Sequence, residues 1–145
     1  MTSEIKSVGV IGLGTMGAGI VEVFLKAGIP VVAVDGSSEL AERGKGFLVA
    51  SLDRQVKRGR LDEAGRDVLV GQATFTDQLD DLHDVDLVIE AGLQPYDIAA
   101  PMAVVEAAGG IVTDWTGGPA WNGGRVIAAA TPDLHRQAMR LLADD

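Results

Sequence analysis

Apolar and polar residues alternate along this chain in two rhythms, and the change from one to the other marks out its elements. Lys6-Ser7-Val8-Gly9-Val10-Ile11 is a short apolar run that breaks off at glycine, the pattern of a strand buried on both faces of a parallel sheet. From Met16 to Ala27 the apolar positions Ile20, Val23, Phe24 and Ala27 form a helical stripe, and Gly28 follows as its C-cap. Pro30-Val31-Val32-Ala33-Val34-Asp35 repeats the buried-strand pattern, and the Ser37-Ser38 pair supplies an N-cap. Leu40, Gly44, Phe47, Leu48, Leu52 and Val56 then keep helical spacing for about five turns. A shorter helix is predicted from Asp62 to Leu69.

Thr74-Phe75-Thr76 reads as a short edge strand and Asp86-Leu87-Val88-Ile89-Glu90 as a central one, with a polar helical turn between Asp77 and His83. Beyond Ala91 glycine and alanine become dense. Ile98, Met102, Val105 and Ala108 share one helical face, which Gly109-Gly110 ends; strands at Ile111-Val112-Thr113 and Val126-Ile127-Ala128 and a helix from Pro132 to Leu142 complete the chain. Strands alternating with helices predict an α/β fold, a Rossmann-like, mostly parallel, doubly wound sheet. The segment from 115 to 124 is rich in glycine, has no helical pattern and is shorter than the dozen or so residues a parallel crossover needs. The last strand is therefore expected to run antiparallel.

Composition narrows the class. With 145 residues, 47% of them hydrophobic, residues 1–145 can bury one sizeable core and are expected to form a single α/β domain. The net charge of −9, from 21 acidic and 12 basic residues without a basic stripe, argues against a nucleic-acid partner. The absence of cysteine removes disulfides and thiolate metal sites. No apolar run approaches a membrane span, so a cytoplasmic protein with no membrane partner is expected; the oligomeric state stays open.

The chemistry sits at the first strand-to-helix turn. Gly12-Leu13-Gly14-Thr15-Met16-Gly17 has the Gly-x-Gly-x-x-Gly spacing, follows a strand and opens a helix. Gly12 permits the tight turn, Gly14 lets a pyrophosphate approach the backbone, and Gly17 lets helix and strand pack closely, while the helix N-terminus offers N–H groups and a positive dipole end. Asp35, about 20 residues further on, stands where a carboxylate accepts hydrogen bonds from the adenosine ribose and repels a 2′-phosphate, which favours NAD over NADP. Without a ligand, the same glycines make only a tight turn and Asp35 a solvated strand end.

The run from Ser7 to Ile20, the long helix after Asp35, and the stretch from Thr76-Asp77 to Asp86-Leu87-Val88-Ile89-Glu90-Ala91 resemble the N-terminal NAD-binding domain of 3-hydroxyacyl-CoA dehydrogenases across about residues 6–91. That resemblance implies a His–Glu pair, supporting Ser and Asn residues and a helical domain for the acyl-CoA, none of which can be placed here. His83, before a strand, and His135, in the polar pattern of the last helix, read as solvated histidines. Residues 92–142 instead resemble the C-terminal part of inositol-monophosphatase-like proteins, including the histidinol-phosphatase branch. The segments that carry this are Gly92 to Pro101, Glu106 to Trp115 and Gly124 to Ala129. In that family the aspartate matched by Asp97 helps bind a catalytic Mg²⁺, but the glutamate and Asp-Pro-Ile-Asp-Gly-Thr motif that complete the site have no counterpart in residues 1–91. No metal is expected: one carboxylate cannot hold a catalytic magnesium, and Asp97 reads instead as a helix N-cap, a vestigial ligand at most.

The expectation is thus an engineered chimera, a Rossmann-type half (1–91) joined to a phosphatase-derived half (92–145), a scaffold without catalysis that retains a weak grip on the adenosine and pyrophosphate of NAD. The alternative is a dehydrogenase-like or Mg²⁺-dependent phosphatase enzyme completed by another chain.

Overall fold

A computed structural model of the chain describes residues 4–93 and 95–143; the side chains of residues 93, 95–98 and 100 lie outside the description. The elements run β1 (Val8–Ile11), α1 (Thr15–Lys26), β2 (Val31–Val34), α2 (Ser38–Lys57), α3 (Glu63–Gly71), β3 (Ala73–Thr76), a 3₁₀ turn (Leu79–Leu82) and β4 (Leu87–Leu93). There follow α4 (Pro95–Ala107), β5 (Ile111–Asp114), a second 3₁₀ turn (Ala120–Asn122), β6 (Gly124–Ala129) and α5 (Pro132–Ala143). The cap read from the sequence at Ser37 forms, its side chain accepting from the N–H of Leu40, and the Asp62 side chain also caps α3, accepting from the N–H of Gly65. Gly28, at φ 78°, ends α1 in the left-handed region.

The six strands are ordered β3-β2-β1-β4-β6-β5. The first four are parallel, and β6 runs antiparallel to both neighbours, β4 and β5. The antiparallel last strand is as expected. After β5 the chain turns back and inserts β6 in the slot beside β4, pairing Ile127 with both Ile89 and Thr113.

Alternation along the strands divides the sheet's two faces. Val8, Val10, Val31, Ala33, Leu87, Ile89, Ile127 and Ala129 meet α1, α2 and α5 in one large core with Phe24, Leu48, Leu134 and Ala138. On the other face Val112, Val126 and Ala120 form a smaller core with Met102 and Val105 of α4. Inserting β6 moves β5, and α4 with it, one strand outward. The centre of this face is left as a trough of about 540 Å³ lined by Val85, Val88, Met102, Val105, Val126 and Ala128. The helix is apolar nearly all round, yet Val104 is 70% exposed.

His135 corrects the sequence reading: it is not solvated but 8% exposed. Docking α5 through Leu134, Ala138 and Leu142 carries His135 under the sheet, where its Nε2 lies 2.6 Å from the Thr113 hydroxyl. That hydroxyl donates to the Asp114 carbonyl, which leaves its oxygen to accept from the His135 ring. Burial lowers its pKa below the ordinary 6.5. Below pH 6.5 the unfolded chain then binds a proton that the folded chain refuses, so stability falls as pH drops from 6.5 towards the lowered value. His83, exposed beside Asp80 and Asp84, has a raised pKa whose contribution is complete below 6.5 and fades only above it. Thermal melts between pH 6.5 and 5 are expected to show a loss in the parent chain that is visibly smaller in His135→Gln. Equal slopes would refute the assignment.

Candidate functional site

The glycine loop joins the carboxyl end of β1 to the amino end of α1, beside the point where the chain leaves β1 for β2 on one side and β4 for β5 on the other. Open parallel sheets form their ligand crevices at such a switch point. Gly12 has φ 87°, and its N–H donates to the Val34 carbonyl at 2.9 Å, tying the loop to the end of β2. Gly17 is packed against it: a Cβ there would sit 1.7 Å from the Gly12 carbonyl oxygen. Around Gly14 nothing lies within 4 Å of where a Cβ would be, so the space above it is open. Gly14 is also the N-cap of α1 and brings no side-chain cap, leaving first-turn N–H groups directed into that space.

A cavity of about 260 Å³ opens there, lined by Gly12, Leu13, Gly14, Thr15, Met16, Gly17, Asp35, Ala91 and Gly92. Every candidate cofactor residue read from the sequence is present. Ala91 and Gly92, at the end of β4, were not foreseen as lining; their only signal was their place at the carboxyl end of a central strand. Leu13 differs from its neighbours in role. It is 2% exposed, and Gly44 of α2 packs so closely that a Cβ there would meet the Leu13 Cβ at 2.4 Å. Leu13 thus anchors the loop in the core and offers only backbone.

Asp35 is held rather than solvated. One carboxylate oxygen accepts from the N–H of Leu13 at 2.9 Å and the other from the N–H of Gly36 at 2.7 Å. The carboxylate is thereby aimed across the loop with lone pairs to spare for a diol. Among the described residues no cationic side chain lines the cavity, so there an anion would be held by N–H groups and the helix dipole. Asp35→Asn leaves one of the two backbone donors without its acceptor. It is expected to weaken NAD by about tenfold or more, the worth of a charge-assisted hydrogen bond, and to narrow the NAD-over-NADP preference. Titrating both cofactors against parent and variant reads this; an unchanged ratio would contradict the ribose role.

Asp97 does not cap α4, because the helix already begins at Pro95, two residues earlier; its side chain falls outside the described residues. Among the described residues no group of three or more His, Cys, Asp or Glu side chains could hold a metal ion. Nor is any described helix long and apolar enough to cross a membrane.

Strand order, glycine loop and acidic partner define a Rossmann-type α/β domain of the dinucleotide-binding class. Residues 7–104 match the family described as 3-hydroxyacyl-CoA dehydrogenase, NAD binding domain, and residues 66–144 match the inositol monophosphatase family. The chain belongs to both, the first through its amino-terminal part and the second through its carboxy-terminal part, and is a two-part chimera. The two matches overlap over 66–104, where β4 and α4 give a strand-then-helix pattern. A 3-hydroxybutyryl-CoA dehydrogenase of Mycobacterium tuberculosis is 40% identical over 114 residues, 79% of this chain and 39% of that protein. The chloroplastic bifunctional phosphatase IMPL2 of Arabidopsis thaliana is 46% identical over 67 residues, 40% of this chain and 19% of that protein. The crystal structure of M. tuberculosis FadB2 superposes with a TM-score of 0.63 at 40% identity, covering 71% of this chain and 35% of that one. The chain thus spans well under half the length of these relatives.

Proposed function

We propose that this chain is a recombined, engineered α/β binding module that grips NAD through its adenosine and pyrophosphate and catalyses neither parent reaction. The observation that carries the reading is the cavity over Gly12–Gly17, where free first-turn N–H groups and the Asp35 carboxylate face one space. Family membership supports NAD as the ligand. When bound, NAD would bring a hydride acceptor, but no described residue is placed as the proton-transferring His–Glu pair: His135 is buried against Thr113 and His83 lies on the surface beside Asp84. Each segment also lacks the other half of its parent's chemistry, which supports deliberate recombination over two surviving activities.

Calorimetric titration with NAD tests the binding. At a hundredfold excess over Kd the ligand stabilises the fold by about 2.7 kcal/mol, a clear rise in melting temperature. Assays with acetoacetyl-CoA plus NADH, and with a phosphate monoester plus Mg²⁺, are expected to show no turnover above buffer. Turnover in either assay, lost in Gly14→Ala or in Asp97→Asn respectively, would establish an enzyme instead.

A further inference from the structure

The sheet face that packs against α4 carries a cavity larger than the one over the glycine loop. It is the trough of about 540 Å³ between β4, β6 and α4, within the roughly 300–1,000 Å³ of pockets that enclose a small organic molecule. Its walls are mostly aliphatic: Val88 of β4 and its ladder partner Ala128 of β6 form the floor, and Met102 and Val105 the helix side. It shares no lining residue with the glycine-loop cavity.

Charge gives this trough a sign. Asp86, Val88 and Glu90 alternate onto one face at β4, so a carboxylate stands at each end of the floor. Asp86 accepts from the N–H groups of Lys6 and Ser7, at 2.8 and 3.1 Å, which fixes it at the rim, and Glu90 is half-buried at the other end. Between Arg66 and Arg125 the sequence holds ten aspartates and glutamates and no lysine or arginine. The rest of the lining, from Val126 to Ala130, is uncharged. Arg125 does not neutralise the trough: alternation sends its side chain to the opposite face with Ile127, where its guanidinium lies 4.7 Å from the centroid of the Trp115 ring. A cleft with low-dielectric walls and charge of one sign focuses its field, and this field attracts cations and repels anions.

We propose that the trough is a site for an organic cation, an ammonium carried on an apolar aliphatic or aromatic body, with the body over Val88 and Ala128 and the ammonium at the Glu90 end. Burial of the apolar body supplies the affinity, and the carboxylates supply the choice of charge. An anion with the same body is repelled. The site stands apart from the dinucleotide reading, since its residues and the sign of its ligand both differ.

Fluorescence titration of the full chain with dansylcadaverine, an ammonium on a dansyl body, and with dansyl-6-aminohexanoate, the same body on a carboxylate, tests the assignment. The cation is expected to bind one to one with blue-shifted emission, about tenfold or more tighter than the anion, the worth of one charge-assisted hydrogen bond. Glu90→Gln is expected to remove most of that preference. Ala128→Leu, which fills the floor, is expected to weaken the cation by about tenfold or more, and it keeps the test open should Glu90→Gln not fold. Equal affinity for the two probes, or binding undiminished by Ala128→Leu, would overturn the inference. So would displacement of the cation by NAD, which would move the probe to the glycine loop and leave that site standing. A chain that sediments as a dimer and binds neither probe would also overturn it, by assigning this face to a second copy.

Discussion

Gly17→Ala is expected to damage the fold, and Gly14→Ala, three residues away in the same motif, to leave it intact while removing the ligand. At Gly17 the new methyl would stand 1.7 Å from the Gly12 carbonyl oxygen and 2.8 Å from its carbon, and both are backbone atoms that no rotamer change can clear. The loop must move, and with it the Gly12 N–H to Val34 bond and the Leu13 anchor under α2. Overpacking of this kind costs about 1–3 kcal/mol, here towards the upper end, which for a domain of this size lowers the melting temperature by roughly 3–10 °C. At Gly14 the methyl meets nothing, the backbone (φ −64°, ψ −172°) suits any residue, and alanine in place of glycine at an N-cap costs at most about 1 kcal/mol. A phosphate seated on the first-turn N–H groups would meet that methyl, and NAD affinity is expected to fall about 10–100-fold, one or two charge-assisted hydrogen bonds. Melting curves and NAD titrations of the two variants read the contrast; equal melting temperatures, or undiminished binding by Gly14→Ala, would show that the motif is not built as described.

That contrast marks what local pattern can reveal. The turn from β1 to α1 was legible because its constraints are near in sequence: a strand that stops at Ile11, a positive-φ glycine, a helix that must pass close to the strand. The Ser37 cap was legible for the same reason. Strand order was not, because Ile111–Asp114 and Gly124–Ala129 read as strands whichever slot they fill. What decides the slot is a long-range comparison: β6 turning back after a short glycine-rich loop gains ladders on both its edges, with β4 and with β5. His135 was misread because the polar pattern of α5 hides a residue adjacent to the buried Leu134 whose partner, Thr113, is far away in sequence. At the site, the positions of Gly12 to Gly17 and Asp35 were legible, whereas the Leu13–Asp35 hydrogen bond depends on tertiary approach.

Whether the two parental segments now behave as one body can be read from a single core residue. Ile127 belongs to the phosphatase-derived half, yet it is fully buried in one cluster with Val8, Val10, Phe24 and Ile89 of the dehydrogenase-derived half. Truncating it to alanine removes apolar contacts and leaves a cavity beneath α1 and α5, a loss of about 2–5 kcal/mol; Phe24→Ala, on the other side of the join, is expected to cost about 3–5 kcal/mol. These are large fractions of the 5–15 kcal/mol that hold a domain together. Because the cluster is continuous, each variant should lower one and the same cooperative transition, with far-UV and tryptophan signals coinciding. Trp115 and Trp121 lie only in the carboxy-terminal half, so tryptophan fluorescence reports that half directly. In Phe24→Ala it is expected to shift fully with the far-UV signal, although the substitution lies in the other half. A tryptophan transition that stayed at the parent midpoint while the far-UV signal moved would mean that the halves fold separately, and the shared core would then not be one unit.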